Sequence, residues 1–285
     1  MPRLSSFSRF ARFTRSWRFS PVAAAALAAV ICARSTQAQV SFNADFGLNS
    51  QFVWRGVTST NRFVIQPDLS VSAPLAGVTV TLGAWGNIEP AHYDGPTEIS
   101  SLGGLGGPLV TQSELWFTVE RTFAERLTTS LGSSAYVYPH VGDLDAFNTV
   151  EVIGTATLEA FVSPTVTVAY DVGRIRGAYL EAGLSRAVTS EQRGEVTIGV
   201  VTAFSAGQGP HPSERDLAYY ARNGLTHVDA SASASFSLGR FTIAPEAHVI
   251  LAKDALVRVA APDRSRGTKV WFGSTVSWTT ARESR

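Results

Sequence analysis

From Val228 to Leu238 the chain changes character at every residue. Val228, Ala230, Ala232, Ala234, Phe236 and Leu238 alternate with Asp229, Ser231, Ser233, Ser235 and Ser237. Side chains along a strand point to opposite faces in turn, so this segment reads as a strand with one apolar and one polar face. Val78, Val80, Leu82 and Ala84 alternate with Thr79, Thr81 and Gly83 in the same way. Leu115, Phe117 and Val119 do so with Glu114, Trp116, Thr118 and Glu120. No segment shows a comparable helical stripe; the best helix candidate, Ser213 to Arg222, is short. The pattern predicts twelve strands, near 40–55, 62–73, 78–88, 111–121, 127–138, 148–161, 165–172, 177–187, 194–203, 226–238, 241–252 and 268–279. Most run about 10–14 residues, whereas soluble strands run about 5–6 and a tilted strand needs about 9–11 to cross a bilayer.

The connections alternate in length. Pro74–Gly77, Thr122–Arg126, Val162–Pro164, Val188–Arg193 and Gly239–Arg240 are short, and all fall at one end of the array. Glu89–Val110, Pro139–Phe147, Phe204–Leu225 and Lys253–Gly267 fall at the other end and are longer. Gly56–Asn61 and Gly173–Arg176 are the two short exceptions there. Short periplasmic turns opposite longer external loops, with an even strand count, are the pattern of an outer-membrane barrel. Aromatic residues lie at both ends: Phe52, Trp54, Tyr136, Tyr138, Tyr170 and Tyr179 at the outer one, Phe123, Phe161, Phe241 and Trp278 at the inner one. Two aromatic girdles are expected of such a barrel.

The N-terminus reads as an export signal. Arg3, Arg9, Arg12, Arg15 and Arg18 form a basic region without acids, an apolar run follows from Val22 to Ala33, and Ala38 offers a cleavage point before Gln39. This three-part pattern predicts a signal peptide over residues 1–38 and one barrel domain over 39–285. Six of the 24 Lys and Arg lie in the leader, so 18 bases face 23 acids in the remainder. The single Cys, Cys32, lies there too, so the exported part has no disulfides. No apolar stretch after residue 38 is long enough for a transmembrane helix. Charged residues make up 16% of the chain, below the roughly 25% of soluble domains, and aromatics 10%. That composition excludes intrinsic disorder, and the lack of basic excess argues against nucleic-acid binding.

These readings converge on an all-β, closed antiparallel transmembrane barrel in the cell outer membrane. In lipid every backbone polar group must be paired within the protein, and a closed sheet achieves this without an edge. A secreted soluble β-sandwich also alternates, with its apolar face inward. Strand length, strand number and loop alternation favour the membrane.

Several ordered motifs carry a family resemblance. Ser50-Gln51-Phe52-Val53-Trp54-Arg55-Gly56 resembles the S-x-Y-x-x-R-G that ends the first strand of the TorF-type porins of Gram-negative bacteria, with Phe52 in the place of Tyr. Tyr136-Val137-Tyr138-Pro139 resembles their Y-x-Y-P strand end. Tyr170-Asp171 followed by Gly177-Ala178-Tyr179-Leu180-Glu181-Ala182-Gly183 is similar to their Y-D…G-x-Y-L-E-x-G hairpin, with Ala178 beside Tyr179 as a departure. The final segment, Val270 to Trp278, resembles the terminal strand read by the barrel-assembly machinery, although Thr279 to Arg285 extends past it. The resemblance implies an outer-membrane porin and names no solute.

On the predicted register the lumen is lined by Asp45, Arg55, Arg62, Asp68, Glu114, Glu120, Glu151, Glu159, Asp171, Glu181, Glu195, Asp229, Glu246 and Lys269. Eleven of these are acids and three are bases. Carboxylate rings favour cations, so the expected activity is passive diffusion of small neutral or cationic solutes. The alternative is a non-conducting structural or adhesive barrel whose lumen is plugged by side chains, because twelve strands lie between filled eight-stranded and open sixteen-stranded barrels. Arg174, Arg176, Arg215, Arg222, Lys253, Arg258, Arg264 and Arg266 fall in external loops, where they suit lipopolysaccharide phosphates or are simply solvated.

Catalytic and metal signals are weak. His211-Pro212-Ser213 lies in a Pro- and Gly-rich loop that breaks strand geometry, and no G-x-S-x-G elbow occurs. Glu246 and His248 share one strand face but are too few for a metal site. Glu114 and Glu151 are lumen-lining acids unless they prove to be close together. Gly103 to Gly107 is glycine-rich but no Lys follows to make a phosphate cradle. No enzyme activity and no cofactor are expected.

Overall fold

The computed structural model describes residues 40–90, 109–139, 148–190, 194–208, 220, 222–253 and 267–280. The chain divides into two units at Gln37/Ala38, and all the described residues belong to the second. The expected signal peptide therefore lies outside them, as do His211, Ser213 and the run Gly103–Gly107.

Twelve strands close into one antiparallel barrel. They are β1 (Ser41–Asn49), β4 (Val64–Leu75), β5 (Val78–Glu89), β6 (Leu109–Phe123), β7 (Leu127–Val137), β8 (Thr149–Leu158), β9 (Ser163–Asp171), β10 (Ala178–Ser190), β11 (Gly194–Ala206), β12 (Gly224–Leu238), β13 (Phe241–Ala252) and β14 (Thr268–Thr279). Two further short strands, β2 (Phe52–Trp54) and β3 (Val57–Thr60), pair only with each other. Barrel strands neighbour one another in chain order, and β14 closes the ring on β1 with Asp45 opposite Ser277 and Phe46 opposite Val276. Among the described residues there is no helix.

Turn chemistry fixes the tight end. Ala76 and Gly77 both have positive φ (51° and 81°), the left-handed pair that a two-residue type I′ hairpin requires between β4 and β5. Gly239 (φ 67°) opens the equally short turn between β12 and β13. The segments 124–126 and 159–162 lie at the same short-turn end.

The barrel is inside-out. Leu69, Leu131, Ile198 and Phe272 are 56%, 62%, 56% and 60% exposed, and they belong to an apolar belt with exposed large side chains on eleven of the twelve barrel strands. A soluble monomer rarely exposes so much contiguous apolar surface, whereas a lipid-facing band requires it. Phe123, Phe161 and Phe241 ring the outside at the short-turn end. The buried side chains are instead largely polar, Asn87, Glu89, Glu151, Asp171 and Lys269 among them.

One departure from the sequence reading reorganises the lumen. The expected first strand, 40–55, ends at Asn49, and β4 starts at Val64 rather than at residue 62. The residues between do not form a short external loop. They fold into the β2–β3 hairpin, whose contacts lie across the barrel from the strands that carry it.

Candidate functional site in the barrel lumen

The β2–β3 hairpin turns at Arg55-Gly56, with φ of 48° and 80°, again a type I′ pair. Gly56 is required there for a second reason. A Cβ on it would lie 2.7 Å from Cγ and Nδ1 of His227 on β12. The hairpin is thus seated against the inner wall. Phe52 packs on Trp85 of β5 at a centroid separation of 5.6 Å, and Trp54 on Tyr136 of β7 at 5.4 Å. Thr60 Oγ1 donates to Glu89 Oε1 at 2.7 Å. The hairpin hangs from β1 and β4, yet reaches β5, β7, β8, β10 and β12, so it crosses the bore.

Arg55 is its anchor. Nη1 and Nη2 donate to the two carboxylate oxygens of Glu151 on β8 at 2.7 and 2.6 Å. This is the bidentate arrangement that a planar guanidinium forms with a carboxylate. Arg55 Cζ also lies 4.4 Å from the ring centroids of Trp54 and of Tyr179 on β10. The Tyr136 hydroxyl donates to Glu151 Oε2 at 3.3 Å, and the Tyr220 hydroxyl to the Arg55 carbonyl at 3.3 Å. Tyr179 stacks on Tyr220 and donates to Glu181 Oε2 at 2.8 Å. Burial of the guanidinium would lower its pKa, but the hydrogen bond and charge of Glu151 outweigh this, so the pKa is raised and the ion pair is retained.

Three of the expected lumen residues therefore lie off the barrel strands. Arg55 is not on the first strand but at the hairpin tip, and Arg62 is exposed in the bend leading to β4. Glu159 lies just past β8 in a short turn and is exposed. Phe52, Trp54, Tyr136 and Tyr179 are not outer-girdle aromatics. Tyr136 and Tyr179 are only 4% and 2% exposed, because they face inward around Arg55. Tyr170 does point outward from β9 and is 46% exposed.

The remaining acids divide by what they touch. Asp171 serves the 172–177 connection rather than the bore. Its Oδ1 accepts from the backbone N–H groups of Arg174, Ile175 and Arg176, and its Oδ2 accepts from Thr149 Oγ1. That explains how this connection stays short at an end of long ones. Asp229 and Glu246 flank His248, at 2.9 Å from Nδ1 and 3.5 Å from Nε2, and the imidazole stacks on Trp271 at 4.1 Å. Glu120 and Glu195 lie on lumen-facing positions toward the short-turn end, where both are exposed. Lys269 faces inward near the opposite end and is 9% exposed.

Sequence reasoning missed Glu89, and also a buried amide ladder. Asn49 Nδ2 donates to Gln66 Oε1, Gln66 Nε2 to Asn87 Oδ1 and Asn87 Nδ2 to Thr111 Oγ1, at 2.7, 2.9 and 2.7 Å. The ladder links β1, β4, β5 and β6 at the root of the hairpin. The Arg-Gly pair followed by Val57-Thr58-Ser59-Thr60 was the available signal for a hairpin.

A cavity of about 340 Å³ remains between the hairpin and the β4–β8 wall. Phe52, Trp54, Trp85 and Trp116 contribute rings to it, and Asp68 and Glu114 contribute carboxylates. Trp116 lies flat across Gly83 of β5, where a Cβ would come within 2.4 Å of the indole.

Neither a family model nor a curated protein sequence matches the chain, and the likeness to TorF-type porins rests on its motifs alone. Among solved structures the chain is similar to an outer membrane channel from Pseudomonas putida F1, with a TM-score of 0.51 at 9% identity over 86% of this chain and 97% of that one. It is also similar to LpxR from Salmonella typhimurium (TM-score 0.49, 10% identity, 83% and 99% covered) and to the KdgM porin (0.44, 10%, 84% and 98%). The first of these likenesses, at such low identity, speaks for architecture alone: the chain has the fold of an outer-membrane β-barrel.

Proposed function

We propose that this protein is an outer-membrane channel for small solutes, narrowed by a hairpin that folds in from its outer mouth. The observation that carries the reading is the Arg55–Glu151 ion pair, which fastens the β2–β3 hairpin to the far wall. A barrel needed only as an anchor gains nothing from a loop fixed across its bore, whereas a channel gains a constriction that sets size and charge. The apolar belt and the signal-like sequence of residues 1–38 support export to the outer membrane. The motif likeness to TorF-type porins points the same way. Cations are the favoured solutes, because Glu151 neutralises Arg55 while Asp45, Asp68, Glu114, Glu120 and Glu195 face the lumen. Arg174, Arg176, Arg222 and Lys253, all exposed at the outer end, support contact with lipopolysaccharide phosphates. The terminal strand β14, which closes the ring, supports recognition by the barrel-assembly machinery.

The test is single-channel recording of residues 39–285 in a planar bilayer, beside a variant in which Gln51–Asn61 is replaced by a short Gly-Ser linker. Small cation-selective openings in the parent, enlarged severalfold in the variant, are expected. Silence from both proteins defeats the channel reading, and an anion-selective reversal potential defeats the charge assignment. Conduction by the variant alone favours a barrel kept shut by its hairpin. The near-complete burial of Tyr136, Tyr179 and Tyr220 around Arg55 speaks for that second reading.

A further inference from the structure

The cavity beside the hairpin has a chemistry of its own. Its walls carry four aromatic side chains, Phe52, Trp54, Trp85 and Trp116, from the hairpin, β5 and β6. Two carboxylates, Asp68 and Glu114, open onto it, and among the described residues no Lys or Arg lines it. Arg55 makes its two guanidinium hydrogen bonds to Glu151 and does not line the cavity. Asp68 Oδ1 is buried without a hydrogen-bond partner. Gln112, Ser130 and Ser134 supply smaller polar groups. At about 340 Å³ the space suits a small molecule, within the roughly 300–1,000 Å³ of ordinary ligand pockets.

We infer that this cavity is a binding site for a small organic cation, an amine or quaternary ammonium compound. Aromatic faces attract a cation through their quadrupole, more strongly when water is excluded. The two carboxylates supply the negative charge that a cation would pair with. A neutral sugar could stack on the same rings but would bring no positive charge to the two carboxylates. The Gly83–Trp116 arrangement belongs to this design: the absence of a side chain at residue 83 lets the indole lie against the wall, where it lines the cavity. The site would retain and select solutes passing the constriction, so it deepens the channel reading and rests on it for its biological role, though not for its affinity.

Binding is therefore measured without conduction. The protein, residues 39–285 folded in detergent micelles, is titrated with choline by calorimetry and by tryptophan fluorescence. Parallel titrations use 3,3-dimethylbutan-1-ol, the neutral isostere of choline, and glucose. Choline is expected to bind at least about tenfold more tightly than its isostere, equivalent to about 1.4 kcal/mol. Asp68→Asn and Glu114→Gln, which keep shape and remove charge, should each weaken choline at least about threefold while leaving the isostere unchanged. Gly83→Val should weaken both by displacing the indole, and circular dichroism with heat-modifiable gel mobility establishes that each variant is folded. Equal affinity for choline and its isostere, glucose binding without choline binding, or no binding at all overturns the inference. Choline binding by a protein that is silent in the bilayer would leave the site standing and remove the channel.

Discussion

At the scale of single residues, Glu151 carries the largest stake. Its side chain is 3% exposed and its partner's 10%, so solvent screens the pair little. Removing one member of such a pair strands the other charge, at a cost of about 3–5 kcal/mol. Glu151→Gln should lower the unfolding free energy by about that amount in urea titrations followed by tryptophan fluorescence. The double variant Arg55→Met/Glu151→Leu should recover most of the loss, because it removes both desolvation costs. A Gln variant within about 1 kcal/mol of the parent would mean that the pair is solvated and does not hold the hairpin. Alternation alone puts Glu114, Glu151, Glu181, Asp229 and Glu246 on the polar faces of their strands. The partners of these residues are not legible from it. Nothing local to Asp171 says that its carboxylate caps the 172–177 connection, or that Arg55 crosses a bore to reach a glutamate 96 residues away.

At the scale of elements, the β2–β3 hairpin is both the feature most open to test and the one the sequence concealed best. Phe52-Val53-Trp54 continues the alternation of β1, so periodicity extends the strand six residues past its true end at Asn49. Tertiary contacts decide otherwise: Arg55 and the two aromatics gain partners inside that they would lack at an outer rim. The motifs around Phe52, Tyr136 and Tyr179, far apart in the chain, meet at this one place. Gly56 is the weak point of the element. An alanine there adds a left-handed cost of about 1–2 kcal/mol and meets His227. Gly56→Ala should loosen the tip, seen as faster protease cleavage within 50–63 and a rise in conductance. His227→Ala in the same chain should reverse the effect only in part, since it relieves the contact and not the backbone. Cleavage and conductance unchanged in Gly56→Ala would show that the tip is not seated against β12.

At the scale of the whole molecule the strands obey one division, apolar outside and polar inside, and it can be tested without reference to function. Val200 lies midway along β11 on the outer face, 42% exposed. Ser233 lies on the inner face of β12, opposite Glu246 of β13. An arginine introduced at a lipid-facing midplane position costs about 2–4 kcal/mol, while a lumen position keeps it in a polar setting. Val200→Arg should therefore destabilise the barrel by that amount in lipid vesicles, and Ser233→Arg should cost less than about 1 kcal/mol because it gains Glu246 as a neighbour. The comparison isolates orientation from strand propensity, since both substitutions place the same residue in an interior strand. A soluble sandwich with its core inside would lose stability through Val200→Arg in lipid-free buffer as well, and would fold there in the first place. A barrel that needs a bilayer or micelle to fold, and that separates the two variants only in its presence, has its belt against lipid. The same division explains why twelve strands were readable from one sequence: lipid and lumen impose a period of two on every strand, whereas the content of the lumen depends on contacts between strands, which no local period records.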